Sequence, residues 1–269
     1  MGYSQRLRLA RRPSYGVGGG KHLRAVPDLP RGTIQELGFL MVLTERDGQI
    51  LSHVARYRLT TAEIVRKLFF AHAGAQAEKN VLRRLVGDYL QSSPLYARKV
   101  YYQLTPACAR SLGVSEELAT PFGPQALLRL YGVLAFCCLG ERVWQALTRA
   151  EFLSAFPEFG QSLDLTQNHY YLDHDGNTAR LGHIMIDQGG EYQRLIGKCR
   201  RFIERARDIP GLNEIVANDL LVISIIVGEE TKAERLKGEL RKAPLPVWCR
   251  ISVVSELTQL MNKSTTSSE

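Results

Sequence analysis

Between Thr44 and Gly113 the spacing of the apolar residues changes in a fixed order, and that order limits the folds open to this chain. Three segments carry apolar residues three and four positions apart, which is the spacing of one buried helix face. Two short segments follow, near Leu95 and at 100–104, whose β-branched and aromatic residues favour strands. A further short helix closes the region. The pattern predicts a small domain of three helices, a two-stranded hairpin and a last helix.

The third helical segment, from about Gln76 to Leu90, indicates a binding partner. Three helices followed by a hairpin are the element order of a winged helix-turn-helix, whose third helix usually lies in the DNA major groove. Arginine can recognise guanine, and asparagine adenine, through paired hydrogen bonds. The polar face of this segment carries Gln76, Lys79, Asn80, Arg83 and, toward one edge, Arg84. We therefore expect a helix that contacts DNA, with an ordinary solvated helix face as the alternative.

Basic residues are also found on both sides of this helix in the sequence. The hairpin has a basic tip, Arg98-Lys99, which is expected to contact the phosphate backbone. Residues 1–31 are rich in glycine and proline and contain seven cations against one acid, which predicts a flexible basic arm. Such an arm either follows DNA phosphates or has no partner. Its candidate contacts are Arg6, Arg8, Arg11 and Arg12.

The composition agrees with an anionic partner and gives no indication of a membrane protein. The formal charge is +8 and the isoelectric point is about 9.3, which favours nucleic acid or an acidic surface. The five cysteines include no CxxC pair, so we expect reduced, buried thiols in the cytoplasm. No apolar run has the length of a membrane span, and the N-terminus lacks the apolar core of a secretion signal.

The C-terminal part has a different pattern. We expect strands near 169–172 and 180–187, a long basic helix at 191–207, a buried strand at 220–227, a helix at 229–242 and a strand at 247–254. Strands that alternate with helices predict a small α/β sheet with crossover helices. The basic helix is either a second phosphate-contacting surface or a solvated face over the sheet. Its cations are Arg194, Lys198, Arg200, Arg201, Arg205 and Arg207.

Several phrases give a resemblance to a known family. LTERDGQILSHVARYRLTTAEIVRKLF, LRRLVGDYL and YYQLTPACARSLG resemble the winged-helix half of the plasmid replication-relaxation proteins, which are DNA-binding factors of mobile elements. GHIMIDQGGEYQRLIGKCRRFIERA, followed by LLVISIIVG, is similar in layout to their second half, an α/β domain related to PD-(D/E)xK nucleases. The similarity covers roughly residues 40–260.

The resemblance implies a cytoplasmic bacterial protein that recognises a sequence in double-stranded DNA. It would be an accessory or regulatory factor in the replication, relaxation or transfer of a plasmid or mobile element. A second copy of the chain and other proteins of the replication or transfer machinery are further partners to consider. The implied domains are an arm at 1–31, a winged helix-turn-helix at 32–118, a helical connector at 119–160, a nuclease-like α/β domain at 161–262 and a loose tail at 263–269.

The resemblance also implies a possible catalytic centre. Nucleases of that fold hold a metal ion, usually Mg²⁺, between two acids and a lysine. The candidates are Asp173, Asp175 and Asp187, with Lys198 as a displaced lysine. Because Gly189 stands at the expected lysine position, we expect a degenerate domain with no catalytic residue, metal or cofactor. A metal-dependent DNA nuclease and a protein-interaction scaffold are the alternatives.

Overall fold

The computed structural model describes residues 43–74, 76–159, 169–175 and 178–266. These residues form a mixed α/β protein with ten α-helices and two β-sheets. The chain divides into two compact units with a boundary between Val143 and Trp144, so the expected connector at 119–160 is split between them. The expected arm at 1–31 lies outside the described residues. Among the described helices, none has both the length and the apolar character that crossing a bilayer requires.

The described part of the first unit contains five α-helices and one antiparallel hairpin. Its elements are α1 Glu45–Tyr57, α2 Ala62–Phe69, α3 Ala77–Leu85, β1 Leu90–Tyr96, β2 Lys99–Leu104, α4 Pro106–Ser111 and α5 Pro124–Leu139. Thr44 opens α1 through a capping box with Asp47, as the spacing of the two residues predicts. Thr60 and Glu63 have the spacing of a helix start, but the α2 cap is Thr61, because the backbone of Thr60 pairs with that of Tyr102 in β2.

The first three helices pack their apolar faces against the hairpin. Their shared core includes Ile50, Val54, Val65, Leu85 and Leu104, all buried. Helix α3 ends at Leu85, well before its expected end at Leu90. The chain turns there because Gly87 has a φ of +109° and Val86 forms a bridge with Leu90. The result is a helix of nine residues held on the core by one side only.

The described part of the second unit contains a four-stranded sheet with the strand order β3-β4-β5-β6. Its elements are α6 Arg149–Ala155, β3 His169–Asp175, β4 Thr178–Ile186, α7 Tyr192–Arg207, α8 Pro210–Ala217, β5 Leu221–Val227, α9 Glu230–Lys242, β6 Trp248–Val253 and α10 Glu256–Thr266. Strands β3 and β4 are antiparallel, whereas β4, β5 and β6 are parallel to one another. Helix α8 was not expected, and α10 extends into the expected loose tail.

The two faces of this sheet are packed differently. One face carries Ile223 and Ile225 of β5, which form an apolar core with the buried side of α7 and with α9. The other face is mixed: it carries Tyr171, Ser224 and Arg250 together with apolar Ile184 and Ile226. Alternation along each strand separates these sets, because successive side chains point to opposite faces.

Candidate nucleic-acid interface

The face of α3 that points away from the core is polar and exposed. Leu82 and Leu85 hold the helix on the core, because they are 2% and 0% exposed. Four of the expected DNA contacts are exposed along α3 and at its N-cap: Gln76, Lys79, Asn80 and Arg83. Arg83 donates a hydrogen bond from Nη2 to Oδ1 of Asn80 at 3.3 Å. A guanidinium and a carboxamide therefore lie side by side on the helix surface, and these are the groups that recognise purine edges.

Arg84 differs from its neighbour Arg83, although both were expected to contact DNA. Arg84 Nη2 donates to both carboxylate oxygens of Asp47, at 2.6 and 2.7 Å. Asp47 is fully buried and also accepts hydrogen bonds from the backbone and hydroxyl of Thr44. The guanidinium of Arg84 is thus occupied in fastening α3 to the first turn of α1. We assign it to the fold rather than to a ligand.

The tip of the hairpin is exposed and carries two cations with different surroundings. Ala97 has a φ of +46°, which turns the chain between β1 and β2. Arg98 is exposed and makes no ion pair with the residues that the structure describes. Lys99 pairs with Glu63 of α2 at 3.3 Å, and its Nζ lies 5.3 Å from the ring centre of Tyr96. Arg98 is therefore the more available cation of the two.

In the second unit, Asp173 and Asp187 lie at opposite ends of the sheet. Asp173 of β3 pairs with Arg180 near the start of β4, whereas Asp187 follows Ile186 at the end of that strand. Along the chain, seven residues separate Arg180, which lies beside Asp173, from Asp187. At about 3.3 Å per strand residue, this separation is roughly 23 Å. Carboxylates so far apart cannot hold one metal ion, so Asp173 and Asp187 do not form the shared metal site of the nuclease alternative.

Each of these carboxylates has a basic partner of its own. Asp187 is 3% exposed, pairs with Lys232 of α9 at 2.6 Å and accepts a hydrogen bond from the backbone of Gly189. Asp173 is 1% exposed and pairs with Arg250 of β6 at 3.0 Å. Lys198 is exposed on α7, and the described side chains contain no cluster of three potential metal ligands. The side chain of Asp175 lies outside the described residues.

A buried polar chain crosses the sheet from β3 to β6. The hydroxyl of Tyr171 lies 2.7 Å from that of Ser224 in β5 and accepts a hydrogen bond from Arg250 at 2.8 Å. Its ring passes over Gly182 of β4, where a Cβ atom would lie only 2.0 Å from the ring. Glycine is thus required at this point of β4, because any side chain would displace the tyrosine. The network links the strands β3, β5 and β6 through side chains.

We expect Gly182→Ala to lower the free energy of unfolding of the second unit by about 1–3 kcal/mol. The added methyl group would displace the Tyr171 ring and separate its hydroxyl from Ser224 and Arg250. Urea unfolding followed by tryptophan fluorescence measures this, since both tryptophans of the chain, Trp144 and Trp248, belong to this unit. Gly238→Ala in α9, where an added Cβ meets nothing within 4 Å, is the control and should not destabilise the unit.

The sequence did not reveal the two cations that pair with Asp187 and Asp173. Lys232 is the lysine that contacts Asp187, but it lies on α9, after the intervening strand β5. Arg250 reaches Asp173 from β6, 77 residues later in the chain. Only the alternation of β6, with a polar Arg250 between Cys249 and Ile251, indicated a residue on the sheet face opposite the apolar core.

The chain was compared with protein-family models, with curated proteins and with solved structures, and nothing matches in any of the three comparisons.

Proposed function

We propose that the first unit is a winged helix-turn-helix that binds double-stranded DNA, with α3 in the major groove and the hairpin tip against the phosphate backbone. The observation that carries this proposal is the exposed set on α3, Lys79, Asn80 and Arg83, opposite a buried apolar face. An α-helix with its side chains is about 10–12 Å across, and the major groove is about 12 Å wide, so a helix exposed on one side fits the groove.

The side chains of α3 have separate roles in this proposal. Arg83 donates to the O6 and N7 atoms of a guanine, and Asn80 makes paired hydrogen bonds to an adenine. Lys79 and Gln76 contact the phosphates or sugars beside them, and Arg98 contacts the backbone from the hairpin tip. Arg84 stays outside this set because its guanidinium is bound to Asp47.

The wider assignment rests on the resemblance described above. It proposes that the protein is an accessory or regulatory factor of a plasmid or mobile element, and that the second unit is a nuclease-like α/β domain. The arm at 1–31 would add phosphate contacts through Arg6, Arg8, Arg11 and Arg12. The ion pairs that occupy Asp173 and Asp187 favour a non-catalytic second unit, so we do not propose a nuclease.

Arg83→Ala is the direct test of the α3 contact. The target is first obtained by selecting bound fragments from a random duplex pool and sequencing them. We expect Arg83→Ala to weaken binding to that target by about 1–3 kcal/mol, or roughly 5- to 150-fold in Kd, because a guanine contact is lost. Binding to random duplex should change far less. Titrations of both duplexes at one fixed salt concentration measure the two effects.

Arg110→Ala provides a matched control within the same unit. Arg110 is exposed on α4, pairs with Glu116 and loses the same single charge when replaced. It should leave the preference for the target unchanged. Equal weakening on the target and on random duplex in Arg83→Ala would reduce Arg83 to a phosphate contact. Failure of the selection to enrich any sequence would refute sequence recognition by this unit.

A further inference from the structure

Helix α7 of the second unit has one apolar face and one strongly basic face. Leu195, Cys199 and Ile203 are buried against the sheet. The opposite side exposes six cations: Arg194, Lys198, Arg200, Arg201, Arg205 and Arg207. Glu204 is the only acid in the sequence of this helix. Such an excess of one charge sign distinguishes α7 from an ordinary solvated helix, on which both signs are mixed.

Four of these cations form a continuous stripe along the helix. Arg194, Lys198, Arg201 and Arg205 are separated by four, three and four residues, which is the spacing of one helix face. At 1.5 Å per residue the stripe is about 16 Å long. Phosphates of one B-DNA strand follow each other every 3.4 Å or so along the axis, so a stripe of this length spans several of them.

Neighbouring helix α9 differs from α7 in the balance of its charges. Three acids stand among its five cations, and Lys237 and Lys242 are bound to Glu234 and Glu239 at 2.7 and 3.0 Å. Two further α9 cations, Arg235 and Arg241, are exposed without an ion pair in the described ranges, as are Arg194, Lys198 and Arg201 of α7. Like charges at this spacing repel one another, so the six cations and single acid of α7 favour an external anion more strongly than the mixed charges of α9.

Gly197 lies beside this stripe, between Arg194 and Arg201 in the sequence. It is half-exposed, and a Cβ atom added there would lie 3.4 Å from Nη1 of Arg201. Glycine inside a helix disfavours the helical state. Its lack of a side chain leaves room for the Arg201 guanidinium close to the helix backbone.

We propose that the basic stripe of α7 is a second DNA contact, which binds the phosphate backbone of double-stranded DNA without regard to sequence. The identity of the polyanion as DNA rests on the function proposed for the first unit. The stripe would add affinity and salt dependence, while α3 would supply the preference for one sequence. Cations that neutralise phosphates release condensed counterions, which gives the contact a measurable signature.

The experiment measures Kd as a function of salt with the full chain and two charge-matched triple variants. The stripe variant is Arg194→Gln, Lys198→Gln and Arg201→Gln. The control variant on α9 is Arg235→Gln, Arg241→Gln and Lys242→Gln, all of which are exposed. We expect the stripe variant to reduce the slope of log K against log salt by about 2–3, since each phosphate contact contributes about 0.9. The control should reduce it by less than about 1.

Two duplexes separate this inference from the function proposed for the first unit. The stripe variant should weaken the selected target and random duplex by the same factor, at least about tenfold at low salt, and leave their ratio intact. The α7 contact would be overturned if the salt slope of the stripe variant equalled that of the wild type, or if both triple variants lowered the salt slope equally. This holds even if Arg83→Ala abolished the preference for the selected target over random duplex. A reduced slope with no effect of Arg83→Ala would support α7 and refute the α3 contact instead.

Discussion

Arg84→Ala is expected to lower the free energy of unfolding of the first unit by about 3 kcal/mol, which is the low end for breaking a buried ion pair. The substitution leaves the Asp47 carboxylate buried without its cation, although the hydrogen bonds from Thr44 remain. We expect the smaller loss of unfolding free energy because the side chain of Arg84 is 33% exposed, so water would partly replace it beside Asp47. Urea unfolding followed by far-ultraviolet circular dichroism measures the change.

Arg83→Ala is the matched control, because it removes the same group from the next residue of α3. Arg83 is exposed and bound only to Asn80 among the described residues, so its loss should change stability by less than about 0.5 kcal/mol. Tryptophan fluorescence should not change in either variant, because both tryptophans lie in the second unit. A stable Arg84→Ala variant that binds DNA weakly would contradict our assignment and return Arg84 to the DNA contacts.

The contrast between these two arginines explains what the sequence alone could establish in the first unit. Capping residues and apolar spacing are local, so they predicted α1, α2, the hairpin and the exposed face of α3 within a few residues. The ion pair between Arg84 and Asp47 joins residues 37 positions apart. Such a contact depends on how α1 and α3 cross, and helix periodicity gives no information on that crossing. The early end of α3 had a local cause, the left-handed turn at Gly87.

In the second unit the succession of strands and most helices along the chain was predictable, but which residues of neighbouring strands lie side by side was not. The sequence puts Asp173 and Asp187 on consecutive strands, and this made a shared metal site conceivable. Their separation follows from the register of β3 and β4, which sets Asp173 opposite Arg180 and leaves Asp187 at the far end of β4. Helix α8 was missed because its eight residues are short, although Pro210 at its start is a common opening residue.

Two buried histidines predict that acid destabilises this protein well above the range in which carboxylates are protonated. Burial, and to a smaller extent the nearby His169, lower the pKa of His183 to about 3. Its ring stacks on Phe202 with 3.9 Å between ring centres. In the first unit, burial and then Arg56 lower the pKa of His53 to about 3. Both side chains are 3% exposed, so each is neutral in the folded protein.

The sign of the pH effect follows from these values. Unfolded histidine binds a proton below about pH 6.5, whereas the folded state resists protonation until about pH 3. The stability that each neutral histidine provides is therefore complete above pH 6.5 and is lost as the pH falls through that window. Each histidine should contribute a slope of up to about 1.4 kcal/mol per pH unit, because the unfolded state binds one more proton.

His183→Phe tests this in the second unit, since a phenyl ring can keep the stack on Phe202 but cannot bind a proton. We expect the variant to lose up to about 1.4 kcal/mol per pH unit of acid dependence between pH 6 and pH 4, measured by urea unfolding and tryptophan fluorescence. His53→Phe is the matched control, because it changes the first unit, which contains no tryptophan. Identical acid slopes in wild type and His183→Phe, or an imidazole of His183 that titrates near pH 6.5 by nuclear magnetic resonance, would show that this ring is hydrated and not a neutral part of the core.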